Sequence, residues 1–216
     1  MKKIALIGAS GFIGSWILKE ALDRGIGVTG IVRNTERITI RHDNLQVKGG
    51  DILIRERVPE LVSGVDAVIS AYNPGWSNPN IYEDTHRGYS SIISGVRKAG
   101  VRRLLIVGGS GSLFVSPGVM LMDTGVLPEA IMPGVKALAE VYFSYLIPEK
   151  ELDWVFFSPA GNIAHGERTG NFRQGDDFLI KHENGESRIS LQDYALAMID
   201  ELMHSKRHRK RMTIGY

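Results

Sequence analysis

The segment Gly8-Ala9-Ser10-Gly11-Phe12-Ile13-Gly14 constrains this chain more than any other. It follows an apolar run, Ile4-Ala5-Leu6-Ile7, and precedes a helical pattern near Phe12–Arg24. A strand that turns sharply into a helix is served by glycine at three points. Gly8 takes the tight turn, because it has no Cβ to clash. Gly11 lets the backbone approach a pyrophosphate, and Gly14 lets the helix pack against the strand. The helix start offers free N–H groups and a partial positive charge to an anion. Ser10, Phe12 and Ile13 lie in the same turn and are expected at the same ligand. A glycine triplet alone is weak evidence, but its place between a strand and a helix makes it a dinucleotide signal.

The 216 residues suffice for one well-packed α/β domain and are too few for two large ones, so residues 1–216 are expected to form a single domain. A net charge of +2 points to neither nucleic acid nor membrane as a partner. With no cysteine, disulfides, thiolate catalysis and thiolate metal sites are excluded, which fits a reducing compartment. Met1-Lys2-Lys3 superficially resembles a signal peptide start, but the apolar run that follows is too short for one. No stretch is long enough to span a bilayer. The expectation is a cytoplasmic protein acting on a small molecule, with a homodimer left open.

Apolar runs occur at Ile4–Ile7, Val28–Val32, Leu45–Val47, Ala67–Ser70, Leu104–Val107 and Trp154–Phe157. Helical patterns near Phe12–Arg24, Ile54–Ser63, Asn80–Ala99 and Glu129–Ile147 lie between them. Such alternation predicts βαβ units and a doubly wound parallel sheet, an NAD(P)-binding Rossmann fold, with right-handed crossovers. A last helix, Leu191–Met203, and a short strand, Met212–Tyr216, follow a small C-terminal substrate-side region. The segment Leu113–Pro133 has no clear period and is expected to cover the site. The run Lys206–Arg211 is read as a solvated turn rather than a nucleic-acid patch. His204 and His208 lack an accompanying carboxylate in that run, so no metal site is expected.

Ligands of such sheets bind at the carboxyl ends of the strands. After the second strand, Arg33 and Arg37 offer planar guanidinium donors where NAD-selective proteins place a carboxylate, so NADP(H) is favoured over NAD(H). Glu36 complicates this, since it can pair with either arginine. After the third strand, Asp51 can accept from the adenine amino group, with Ile52 packed on the ring, or Asp51 can cap the next helix. Small Ala71 leaves room for the cofactor, while Tyr72 and Trp76 can stack on a planar substrate or pack under the cover segment. Gly108 follows the fifth strand, and Ser110 or Ser112 can hydrogen-bond a substrate oxygen. Pro159 follows the sixth.

The glycine turn, the serine after the fifth strand and the helical Lys136 resemble the short-chain dehydrogenase/reductase superfamily. Segments such as Ala71–Trp76, Pro133–Leu138, Asp153–Ala160 and Ile189–Ala195 are similar to its atypical members. Those are the NmrA-like regulators, the biliverdin-IXβ and flavin reductases, and bacterial proteins labelled epimerases. The resemblance implies that Lys136 holds the nicotinamide ribose and that Pro159 lines the nicotinamide. It also implies a Tyr-x-x-x-Lys pair, but Met132 stands where the tyrosine belongs. A thioether cannot protonate a carbonyl, and Tyr72, Tyr142 and Tyr145 are the candidate replacements. Ser110, Lys136 and Tyr72 are thus the expected catalytic residues. Flavin reduction needs no tyrosine acid, because hydride passes directly to a good acceptor. The leading expectation is an NAD(P)H-dependent oxidoreductase with a flavin or similar conjugated substrate. An NADP-sensing binding protein and a nucleotide-sugar epimerase or dehydratase are the alternatives.

Overall fold

The computed structural model describes residues 3–216, so the Met1-Lys2 start weighed as a leader lies outside the described residues. In chain order the first elements are β1 (Lys3–Ile7), α1 (Gly14–Asp23), β2 (Gly27–Val32), β3 (Leu45–Gly49), α2 (Val58–Leu61), β4 (Ala67–Ser70), α3 (Ile81–Lys98) and β5 (Arg103–Val107). A small hairpin, β6 (Phe114–Ser116) with β7 (Val119–Met120), precedes α4 (Met132–Glu140). Then come β8 (Asp153–Ser158), β9 (Asn162–Ala164), β10 (Arg173–Gly175), β11 (Arg188–Ser190), α5 (Leu191–His204) and β12 (Lys210–Gly215).

Eight strands form one sheet in the order β10-β12-β8-β5-β4-β1-β2-β3. Every pairing is parallel except β10 with β12. The sequence shows why the strands are buried on both faces. Ile4 and Leu6 of β1 join one apolar core with α1 and α5, while Ala5 and Ile7 join the other with α2 and α3. Trp154 and Phe156 of β8 likewise oppose Val155 and Phe157. The period-two alternation of side chains therefore divides each continuous apolar run between two helical layers. This is the expected doubly wound sheet.

Differences from the sequence reading have local causes. The expected helix Glu129–Ile147 begins as a 3-10 turn at Glu129–Ile131, and α4 passes into a π-helical stretch at Val141–Leu146. The expected helix Ile54–Ser63 is a 3-10 turn, Arg55–Arg57, followed by the single turn of α2. The basic run is also not a solvated turn throughout. Arg211 is an inward position of β12 and is buried, its guanidinium 3.8 Å from the Tyr142 ring centre and donating to the Ser112 carbonyl at 2.7 Å. Arg207 and His208 meet Asp176 and Asp153. Among the described residues no cluster of His, Asp or Glu is placed to hold a metal, and no helix is long and apolar enough to cross a membrane.

An ionic chain fastens α1 to the C-terminal half. Glu20 is buried and accepts from Arg24 at 2.7 Å and from Arg168 at 2.8 Å, and Arg24 reaches Asp200 of α5 at 2.6 Å. Burial pushes the Glu20 carboxyl up, but hydrogen bonds from Arg168 and Arg24 outweigh it and leave the group below its ordinary value. A depressed folded-state pKa contributes stability above the unfolded value, and that contribution is lost as pH falls through the folded one. Glu20→Gln is expected to cost roughly 1–3 kcal/mol at neutral pH, since it leaves two arginines without their shared carboxylate. The gap to wild type should narrow as pH falls below the ordinary glutamate range and through the depressed folded-state value, where wild-type Glu20 also gains its proton. Urea denaturation of both chains across that range checks this.

Candidate functional site

The first turn forms because backbone is crowded there. Gly8 has φ +78°, and a Cβ on it would stand 2.6 Å from the Ala71 carbonyl oxygen. A Cβ on Gly14 would run into the Gly8 carbonyl oxygen. Glycine at both positions lets β1, α1 and the turn after β4 converge, with Gly8 N–H bonded to Ile31 of β2 and Ala71 N–H to Ile7. No side chain caps α1, and the N–H groups of Ser10, Phe12 and Ile13 meet no acceptor among the described residues. These unpaired donors at a helix start are what a pyrophosphate requires.

A cavity of about 940 Å³ opens beside this turn, near the upper end of the usual range for ligand pockets. Its lining collects the carboxyl ends of six parallel strands: Gly8 after β1, Arg33 after β2, Asp51 after β3, Ala71 after β4, Gly108 after β5 and Pro159 after β8. Ser10, Gly11, Phe12, Ile13, Arg37, Ile52, Tyr72 and Ser110 line it as well. Gly14 does not, and acts through packing.

At the β2 end, Arg33 and Arg37 are exposed and form no ion pair among the described residues. Asn34 caps the short turn Thr35–Arg37 by accepting from Glu36 N–H at 3.0 Å. The Glu36 side chain engages neither arginine, which removes the competitor that the sequence raised. Asp51 is half-buried, lines the cavity and accepts from Leu53 N–H at 3.0 Å. Its cavity and turn-capping roles therefore coexist.

Two catalytic expectations need correction. Tyr72 lines the cavity, but its hydroxyl donates to the Asp84 carbonyl at 3.0 Å, and burial followed by the charges of Asp84 and Asp51 pushes its phenol well above its ordinary value. With its hydroxyl engaged in this way it is not a free acid. Lys136 is exposed and does not line the cavity. Helix α4 and the turn before it instead present Ile131, Val135, Leu138 and Ala139, spaced i, i+4, i+7 and i+8. At 3.6 residues per turn these form one face, which leaves Lys136 beside it on another. That apolar face, together with Asp84, was missed from sequence, although the period of α4 carries the signal.

The far half holds Ser110, half-buried, and Asn162, exposed, and their side chains have no hydrogen-bond partner among the described residues. Leu127 of the segment Leu113–Pro133 lines it, as expected for a cover.

The sequence matches the model of a family described as NAD(P)H-binding over residues 8–204. The chain belongs to that NAD(P)H-binding family. It is 35% identical to the uncharacterised protein YwnB of Bacillus subtilis, over 98% of this chain and 97% of that protein. A solved structure from Bacteroides thetaiotaomicron, provisionally named an epimerase, is 55% identical with a TM-score of 0.95, covering 100% of this chain and 97% of that one. One from Streptococcus pneumoniae, provisionally named an NADH-flavin reductase, is 32% identical with a TM-score of 0.86, covering 100% and 99%. The family's dinucleotide fits the cavity on two counts, the unpaired N–H groups at the start of α1 and the guanidiniums free of ion pairs after β2.

Gly11 tests the pyrophosphate contact apart from folding. A Cβ there would meet only the Gly8 oxygen, at 3.2 Å, and its backbone is not left-handed. Gly11→Val is expected to keep the cooperative thermal transition while weakening NADPH by at least about a hundredfold, read by calorimetric titration.

Proposed function

We propose that the chain is an NADP(H)-dependent oxidoreductase that transfers hydride to a flavin or a similar conjugated acceptor. The observation that carries this reading is the α4 face. Ile131, Val135, Leu138 and Ala139 present no proton donor or acceptor to the cavity. An alcohol dehydrogenase or a sugar epimerase needs an acid or base at its carbon–oxygen bond. A flavin or quinone ring accepts hydride without one, and its proton can come from water. Catalysis then rests on holding two rings in contact.

The residues divide the work. Ser10, Phe12 and Ile13 would donate backbone N–H groups to the pyrophosphate. Arg33 and Arg37 would hold the 2′-phosphate of the adenosine ribose. Asp51 would accept from the adenine amino group with Ile52 against the ring. Pro159 and Gly108 would flank the nicotinamide, which supplies the hydride when the reduced cofactor is bound. Ser110 would donate to a ring carbonyl or nitrogen of the acceptor.

Steady-state oxidation of NADPH in the presence of flavins or quinones tests the reading. Turnover supports it, and tight NADPH binding with no turnover on any such acceptor would favour a redox sensor. Arg33→Ala is expected to weaken NADPH by about tenfold or more and NADH by much less; equal losses would remove the 2′-phosphate role. Lys136→Ala is expected to leave NADPH affinity within about twofold of wild type, because its side chain is exposed and off the cavity. A large loss would restore the ribose contact expected from the superfamily.

A further inference from the structure

The cavity's cations are confined to one end. Arg33, Arg37, Asp51 and Asp84 are the only charged side chains lining it among the described residues. Arg33 and Arg37 lie either side of the Asn34 cap after β2, and Asp51 follows β3, whereas Asp84 accepts from Asn78 of the Trp76 loop at 2.9 Å. The rest of the lining contains no Lys, Arg, His, Asp or Glu. Its walls are aromatic and aliphatic, with Trp76, Leu127, Ile131 and Val135, and its free polar groups are the neutral Ser110 and Asn162.

Trp76 is the least ordinary of these. It is 53% exposed although it lines the cavity. Its loop is held by Asn73, which accepts from Gly75 N–H at 2.7 Å, and by Asn78 N–H donating to the Gly75 carbonyl at 3.0 Å. The indole lies over Gly134 of α4, where a Cβ would stand 2.9 Å from the ring. A large flat apolar surface is therefore fixed at the mouth with solvent on one side, an arrangement suited to stacking.

A phosphate or carboxylate drawn into this half would lose water without meeting a cation, which is strongly unfavourable. We propose that this half of the cavity binds an uncharged, planar conjugated ring on Trp76 and makes no productive contact with a phosphate or carboxylate. Riboflavin and uncharged quinones would then bind as well as FMN, FAD or anionic quinones, and the diphosphate of a nucleotide sugar would find no counter-ion. This rests on the reading of the cavity as a hydride-transfer site whose cationic end takes the dinucleotide.

The test titrates the full chain, saturated with NADP+, with riboflavin, FMN, FAD and menadione, following indole and flavin fluorescence. Turnover with NADPH is measured separately. The expected result is riboflavin and FMN affinities within about threefold of each other, FAD no tighter, and menadione bound. Trp76→Ala should weaken every ring ligand by about tenfold while changing NADPH affinity by less than about twofold, and Trp76→Phe should recover most of the loss. FMN or FAD binding about tenfold tighter than riboflavin would overturn the proposal by revealing a phosphate site, as would failure to bind any of the rings. Equal binding of the rings with no reduction would leave the recognition proposal standing and bring down the hydride-transfer reading.

Discussion

Everything at the functional end of this molecule depends on one close approach of backbone to backbone. The carbonyl oxygen of Gly8 lies where a side chain on Gly14 would stand, and the Ala71 oxygen lies where a side chain on Gly8 would stand. Two missing β-carbons thus let a strand, the helix that follows it and the turn of a neighbouring strand share one corner. Helix α1 begins there without a side-chain cap, and the N–H groups of Ser10, Phe12 and Ile13 in the turn before it meet no acceptor among the described residues. Dinucleotide binding is in this sense a by-product of tight packing, since the unsatisfied donors of a helix start become useful when nothing in the protein claims them.

The remainder of the architecture holds that corner still. Alternate residues of the central strands feed two separate apolar cores, so α1 cannot shift without disturbing the sheet beneath it. The chain Arg168–Glu20–Arg24–Asp200 links the same helix to α5 and to the segment after β9. On the other side of the cavity, the buried Arg211 supports the loop after β5 through the Ser112 carbonyl. Both faces of the site are thus braced by arginines whose charge is taken up by carboxylates, carbonyls or a ring.

Much of this was legible in the sequence, and the misses follow from where periodicity fails as a signal. The central strands read clearly because each is a continuous apolar run. Strands β9, β10 and β11 are three residues long and polar in part, too short to establish a period. Arg211 was hidden because a basic run looks uniformly solvated, whereas β12 is buried continuously from Arg211 onward, next to the exposed Lys210. Lys136 was placed by its spacing from a missing tyrosine; the helix instead turns its neighbour Val135 toward the cavity, about 100° away. The cofactor turn was the most readable part because its chemistry lies in the backbone, and glycine announces backbone directly. The substrate half is built from tertiary contacts among Trp76, Gly134 and Ile131, and no single stretch of sequence encodes it.

The neutral polar groups of the far half of the cavity have a consequence for kinetics. Ser110, Ser112 and Asn162 do not ionise near neutral pH. On the proposed chemistry the protein has no protonation state to arrange before a ring can react. The rate of the reacting step should then follow the acceptor's own redox potential and stay flat across neutral pH, rather than trace the bell-shaped profile of an enzyme that carries its own acid and base.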